Sequence, residues 1–175
     1  MSQSAVTAFI TLNLLAFVSL LFWAALSDFL SFKIPNFISI LLVLLYFFAL
    51  LPSNWDFSQL VSNLTTAVGV LTICFLLFMR GYIGGGDAKL LAAISLWTGV
   101  EGLSTFIFFT TLSGGGIALL LIIFRYFSLS EKLKNCCCIK QLYDEKSYVP
   151  YAIAIAGGAL ATLDEVLVFA PLWKD

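Results

Sequence analysis

"RGYIGGGDAKLLAA", residues Arg80 to Ala93, sets an arginine, three consecutive glycines, an aspartate and a lysine between two long apolar stretches. The rest of the chain avoids charge. Of its 175 residues, 61% are hydrophobic and 11% charged, against roughly 45–50% and 25% in an ordinary soluble domain. This is the composition of an integral membrane protein. In lipid, every backbone polar group must be satisfied within its own segment, so the expected architecture is all-α, with helix packed on helix.

Working outward from the polar island, apolar runs approach the ~20 residues needed to cross a hydrocarbon core as helix. They lie at about 5–26, 34–52, 58–79, 88–100, 103–124 and 149–170. That predicts a polytopic protein of six transmembrane helices forming a single membrane-embedded domain over residues 1–175. Gly99, Glu101 and Gly102 mark a turn between the fourth and fifth runs; merging those runs gives a five-span alternative. The fourth run is short, and Asp164 and Glu165 interrupt the sixth. The first run lacks a basic flank and exceeds the ~7–15 residues of a signal-peptide core, so it reads as a retained span. No internal repeat relates the two halves, as it does in many transporters.

With six spans and the N-terminus outside, Lys33, Arg80, Lys89, Arg125, Lys132, Lys134, Lys140 and Lys146 fall on the cytoplasmic side, and only Lys174 falls outside. The positive-inside rule favours that orientation. The net charge of −1 and the lack of a basic stretch give no reason to expect nucleic acid as a partner.

The chain has no histidine, which removes Ser-His and Cys-His catalysis and leaves carboxylates as the acid/base groups. Cys74 lies in an apolar run, and the adjacent Cys136, Cys137 and Cys138 lack the spaced pairs of a zinc site. They read as reduced thiols, and no metal is expected. Two aspartates close apolar runs: Asp28 follows LLFWAALS, and Asp87 heads AKLLAAISLW. The predicted topology delivers both to the cytoplasmic side at similar depth. Carboxylates at a membrane boundary are costly and suggest a functional site. A close pair holds a single proton, so one member can activate water while the other protonates a carbonyl oxygen. That is peptide hydrolysis without metal or cofactor.

Gly84, Gly85 and Gly86 would allow unusual dihedrals and let an extended peptide approach Asp87. Lys89 would point away from Asp87 on a regular helix. Simpler readings remain open for each residue. Asp87 serves equally as a helix cap, Lys89 as a snorkelling charge, and Pro35 with Asn36 as a helix start. Gly157 and Gly158 read as a close helix contact.

Three pieces together carry a resemblance: "SDFLSFKIPN" (Ser27 to Asn36), "GGGDAKLLAA" (Gly84 to Ala93) and "VPYAIAIAGG" (Val149 to Gly158). In this order, at the ends of matching spans, they resemble the type IV prepilin peptidases, membrane aspartyl proteases of the GxGD type. The chain looks most like the short form associated with tight-adherence (Flp) pili. The resemblance implies Asp28 and Asp87 as catalytic residues, with Gly84 and Gly86 as the glycines of GxGD. Gly85, Lys89, Pro35 and Asn36 fall in the same matching pieces. It further implies a multi-pass protein of the cytoplasmic (inner) membrane with its active site facing the cytoplasm. The implied partners are membrane lipid and a prepilin or pseudopilin whose basic leader is removed. Longer relatives carry a cytoplasmic loop with paired cysteines and also methylate the new N-terminus. Here Asp28 follows the first span directly, so methyltransferase activity is not expected. The rival reading is a proton- or cation-coupled transporter or channel using the same carboxylates as a relay. It predicts polar residues along a path to the outer face, whereas most spans here have apolar middles.

Overall fold

Long runs of Leu, Phe, Ile and Val leave the backbone no partner but itself in an apolar medium, and the chain answers with helices. The computed structural model describes residues 3–51, 56–126, 150–166, 168–169 and 172. Its helices are α1 (Gln3–Ser31), α2 (Asn36–Ala49), α3 (Phe57–Met79), α4 (Gly85–Tyr126) and α5 (Tyr151–Ala161), with no strand among the described residues. The Cys136 to Cys138 segment lies outside them.

Three stretches, Ser4–Ser31, Phe57–Met79 and Gly85–Ile123, are long and apolar enough to cross a bilayer. The 14 residues of α2 and 11 of α5 are apolar but shorter. At ~1.5 Å per residue they reach about 21 and 17 Å, less than a ~30 Å hydrocarbon core. The run expected over 149–170 therefore yields a helix only to Ala161. Turns follow through Asp164 and Glu165, where the sequence loses its apolar continuity. At the other extreme, α1 continues past the expected residue 26 to Ser31, because Asp28 interrupts hydropathy but not helical geometry.

The α4 helix is broken at Gly99, whose φ of 61° and ψ of −168° are not helical. That combination is essentially reserved to glycine, and a Cβ there would lie 2.5 Å from Asn63 Oδ1. The break makes α4 a hairpin. Its start meets Ile34 through Gly86, while Gly102, just past the break, faces Glu165. Farther along the second limb, Gly114 meets Tyr151 and Ala154, so both ends of α4 return to the same end of the bundle as Asp28. The turn expected at Gly99 is thus present, and residues 85–98 and 100–126 form separate antiparallel limbs.

Glycine also sets the contact between α5 and the second limb. A Cβ on Gly158 would come within 2.8 Å of the Thr110 nitrogen and 3.0 Å of the Phe106 oxygen. The close helix approach expected of the Gly157-Gly158 pair is therefore made by Gly158.

The core gathers α1, α2, the first limb of α4, α5 and the segment after it. Phe17, Tyr46, Trp97 and Phe169 are completely buried. The Trp97 ring lies 4.7 Å from Phe17, 5.4 Å from Tyr46 and 5.5 Å from Phe169 between centroids. Polar atoms within this cluster are matched. Trp97 Nε1–H donates to the Leu42 carbonyl at 3.1 Å, and Asn63 Nδ2 donates to Tyr46 Oη at 3.0 Å. By contrast α3 packs chiefly on α4 and exposes Val68, Ile73, Phe75 and Leu76, a face suited to lipid.

Candidate active site

The last turn of α1 is built around the first matching piece. Asp28 sits three residues before the helix end, and its own carbonyl accepts from the Phe32 N–H at 2.8 Å. Phe32 has φ of 50°, the left-handed conformation that commonly ends a helix but is unusual for a residue other than glycine. Ser27 Oγ donates to the Lys33 carbonyl at 2.9 Å and ties the turn back to the helix. Pro35 then takes an extended conformation as N-cap of α2, with Asn36 as its first residue. The pair does mark the start of α2, with Pro35 at the N-cap rather than in the first turn.

Asp28 is buried, and its carboxylate crosses to the third matching piece. Oδ2 accepts from the Ala152 N–H at 2.9 Å. Ala152 lies in the first turn of α5, whose N-cap Pro150 offers no side-chain acceptor. Helix starts leave N–H groups open, and Asp28 closes one of them from another helix. This contact was not expected from the sequence. The VPYA piece was a signal for it, but a backbone donor leaves no residue type to recognise.

Asp87 occupies the third position of α4. Its carboxylate turns back to accept from the Gly84 N–H, and the Ala88 N–H donates to the Gly84 carbonyl at 3.0 Å. This is the reciprocal half of a capping box, in which the third helical residue reaches back to the N-cap nitrogen. Asp87 thus takes part in capping without being the N-cap itself. The glycines follow from these contacts. A Cβ at Gly84 would lie 2.7 Å from Asp87 Oδ2, one at Gly85 3.3 Å from the Phe78 ring, and one at Gly86 3.1 Å from Ile34 Cβ. None of the three has positive φ, which is found instead at Gly81 and Gly99. The expectation of unusual dihedrals at Gly84 to Gly86 is therefore corrected: they are needed for space rather than for backbone conformation.

The two aspartates come from helix ends on the same side of the bundle. Gly86 against Ile34 joins the turn before α2 to the start of α4. Lys89 projects elsewhere, as residues two apart on a helix must, and its Nζ donates to Asn36 Oδ1 at 2.9 Å. The eight residues singled out in the sequence thus gather at one end, with Lys89 and Asn36 as a linked pair beside the carboxylates. Among the described residues, no group of three or more Cys, Asp or Glu side chains is arranged to hold a metal ion.

Two carboxylates at one end of the bundle, each anchored by a backbone N–H, keep further lone pairs for a water or a substrate. Such an arrangement suits proton transfer to and from a polarised carbonyl.

Comparison with known proteins bears on that chemistry. No curated protein and no solved structure matches the chain. A sequence model of the type IV leader peptidase family matches residues 15–119, more than half of the chain. The matched region contains both aspartates and the three glycines; α5, which supplies the Ala152 donor, lies beyond it. The chain belongs to the type IV leader peptidase family.

Proposed function

We propose that this protein is an aspartyl endopeptidase of the cytoplasmic membrane that removes the leader of a type IV, Flp-like prepilin or pseudopilin. In this reading, a single domain crosses the bilayer six times with its N-terminus outside, and cleavage occurs at the cytoplasmic face. The observation that carries the reading is that Asp28 and Asp87 stand at helix ends on the same side of the bundle, where the turn before α2 meets the start of α4, in a membrane protein of this family. The lysine and arginine distribution of the sequence supports the orientation.

The pair shares one proton. The ionised carboxylate takes a proton from a water held between the two, and the resulting hydroxide attacks the scissile carbonyl carbon. The protonated carboxyl gives its proton to the carbonyl oxygen, forming a tetrahedral diol. Collapse of the diol breaks the C–N bond as the nitrogen is protonated. The leader leaves with a new carboxylate, and the mature subunit leaves with a free α-amine. No cofactor enters, and methylation of that amine is not expected.

The test is co-expression with a tagged prepilin, followed by mass spectrometry of the products. The intact protein releases the leader at one bond, while Asp28→Asn and Asp87→Asn, present in the membrane at the same level, leave the prepilin whole. Cleavage by both variants would rule out the dyad. Failure of the intact protein to cut would rule out the leader-peptidase reading.

A further inference from the structure

Asp28 and Asp87 stand on helices that are not packed against each other as a pair. α1 lies on α2 and α5, whereas α4 lies on α2, α3 and α5. A ring contact between Phe17 and Trp97, with centroids 4.7 Å apart, does join α1 to α4. It lies about 15 Å along each helix from the carboxylates, at ~1.5 Å per residue. That contact fixes the far end and leaves the carboxylate end to be held by something else. Through Ala152, α5 holds Asp28, but the close contacts it makes at glycine, Ala154 with Gly114 and Gly158 with Thr110, are to the second limb of α4. Asp87 is on the first limb.

The short turn between α1 and α2 reaches that first limb and touches it on both sides of Asp87. Ile34 lies against Gly86, the residue before Asp87, where a single Cβ would come within 3.1 Å. Asn36, the first residue of α2, accepts at 2.9 Å from the Nζ of Lys89, two residues after Asp87. The turn itself is stiff. Proline fixes its own φ at Pro35, and the Lys33 carbonyl accepts from Ser27 Oγ. Phe32 has a φ of 50°, a left-handed conformation that is costly for any residue but glycine and persists only where its surroundings enforce it. A charge-assisted hydrogen bond is stronger than a neutral one, which suits a lysine to locking this turn in a chain that otherwise avoids charge.

We propose that the turn from Phe32 to Asn36 sets the separation of the two carboxylates, and that Lys89 and Asn36 are positioning residues that lock it to α4. Lys89 thus serves the reaction through Asn36 and does not touch the substrate. The proposal rests on the peptidase reading, in which one water is held between Asp28 and Asp87. Catalytic groups must be held to within ~0.5 Å of their productive geometry, and a misplacement of about 1 Å can cost about a hundredfold in rate. A stiff turn touching α4 on both sides of Asp87 is a means of keeping that tolerance between two helices that do not pack together.

The test takes two readouts on the full chain in lipid nanodiscs. One is steady-state cleavage of a tagged prepilin. The other is the distance between nitroxide labels carried by unnatural amino acids at positions 30 and 82, where Leu30 on α1 and Tyr82 before α4 are exposed. Lys89→Met and Asn36→Ala each shift or broaden that distance and lower kcat by about tenfold, with KM within about twofold of the intact value. The double variant is no worse than the worse single one, because both changes break the same bond. Asn36→Lys combined with Lys89→Asn spans the same gap with the partners exchanged, and it restores both the distance and kcat.

A lysine that met the substrate directly would behave otherwise. A loss confined to KM, a loss of kcat at unchanged distance, additive losses in the double variant, or an exchanged pair that fails to cut would each overturn the proposal. The two readings fail separately. A distance that responds to the bond while the intact protein does not cut retains the lock and rejects the peptidase, and full-rate cleavage by Lys89→Met and Asn36→Ala does the reverse.

Discussion

The two ends of the bundle both bury polar groups, but satisfy them in opposite ways. At the Gly99 end, Asn63 bonds Tyr46 and Trp97 bonds the Leu42 carbonyl, and the rings of Phe17, Tyr46, Trp97 and Phe169 close around them. These groups are neutral, matched to one another and tightly packed. At the Asp28 end, two carboxylates are each pinned by one backbone N–H, from Ala152 and Gly84. An ionised carboxylate can accept about four hydrogen bonds, so this end keeps capacity that the other has used up. Matched neutral polar groups complete a fold, whereas pinned carboxylates with spare lone pairs can do chemistry.

If that contrast is right, the largest effect comes from the carboxylates. Asp28→Asn and Asp87→Asn each lower leader removal by at least about a thousandfold, within the range of a lost acid/base group. The double variant is no slower than the slower single one, because groups that act as a unit do not contribute additively. Additive losses in single-turnover assays would break the account of a shared proton.

At the opposite end the next effect is on stability. Trp97→Ala costs about 3–5 kcal/mol, as expected for loss of a buried aromatic side chain, and lowers the thermal midpoint in detergent. The molecules that remain folded cut at the normal rate. A catalytic defect per folded molecule would mean that the aromatic cluster also shapes the site.

A pair of glycines sharpens the comparison with smaller effects. Gly99→Ala meets both the positive φ and Asn63 and costs about 1–3 kcal/mol of stability. Gly84→Ala pushes its methyl group against Asp87 Oδ2. It slows cleavage about tenfold, corresponding to ~1.4 kcal/mol at the transition state, while unfolding shifts by less than ~0.5 kcal/mol. Thermal melts and cleavage rates of the same preparations check both. Interchanged outcomes would dissolve the division between a structural and a chemical end.

Much of this arrangement was legible in the sequence because it depends on hydropathy and on residue type. The apolar run at 58–79 coincides with α3, and Gly99 ends a limb where the pattern predicts a turn. The spacing of the apolar runs also brings Asp28 and Asp87 to one end, where the turn before α2 meets the start of α4. Other features were hidden for physical reasons. The reach of α1 to Ser31 could not be seen because a charged residue ends an apolar run without ending a helix. The Ala152 donor is 124 residues from Asp28 and acts through a backbone group common to nearly every residue. Ser39 is one serine on an apolar helix, and only packing shows that its hydroxyl is buried without a partner. The three glycines were recognised as special, but the steric neighbours that require them come from α2, α3 and Asp87 itself.

The central claim is that Asp87 is there for chemistry as well as for its place in the first turn of α4. The most direct measurement is the thermal midpoint and the cleavage rate of Asp87→Asn taken on one preparation. Asparagine can still accept from the Gly84 N–H but cannot exchange a proton as a carboxylic acid does. The account predicts a midpoint within a few degrees of the intact protein and no detectable leader removal. Retained cleavage, or loss of cleavage accompanied by a collapse in stability, would contradict it.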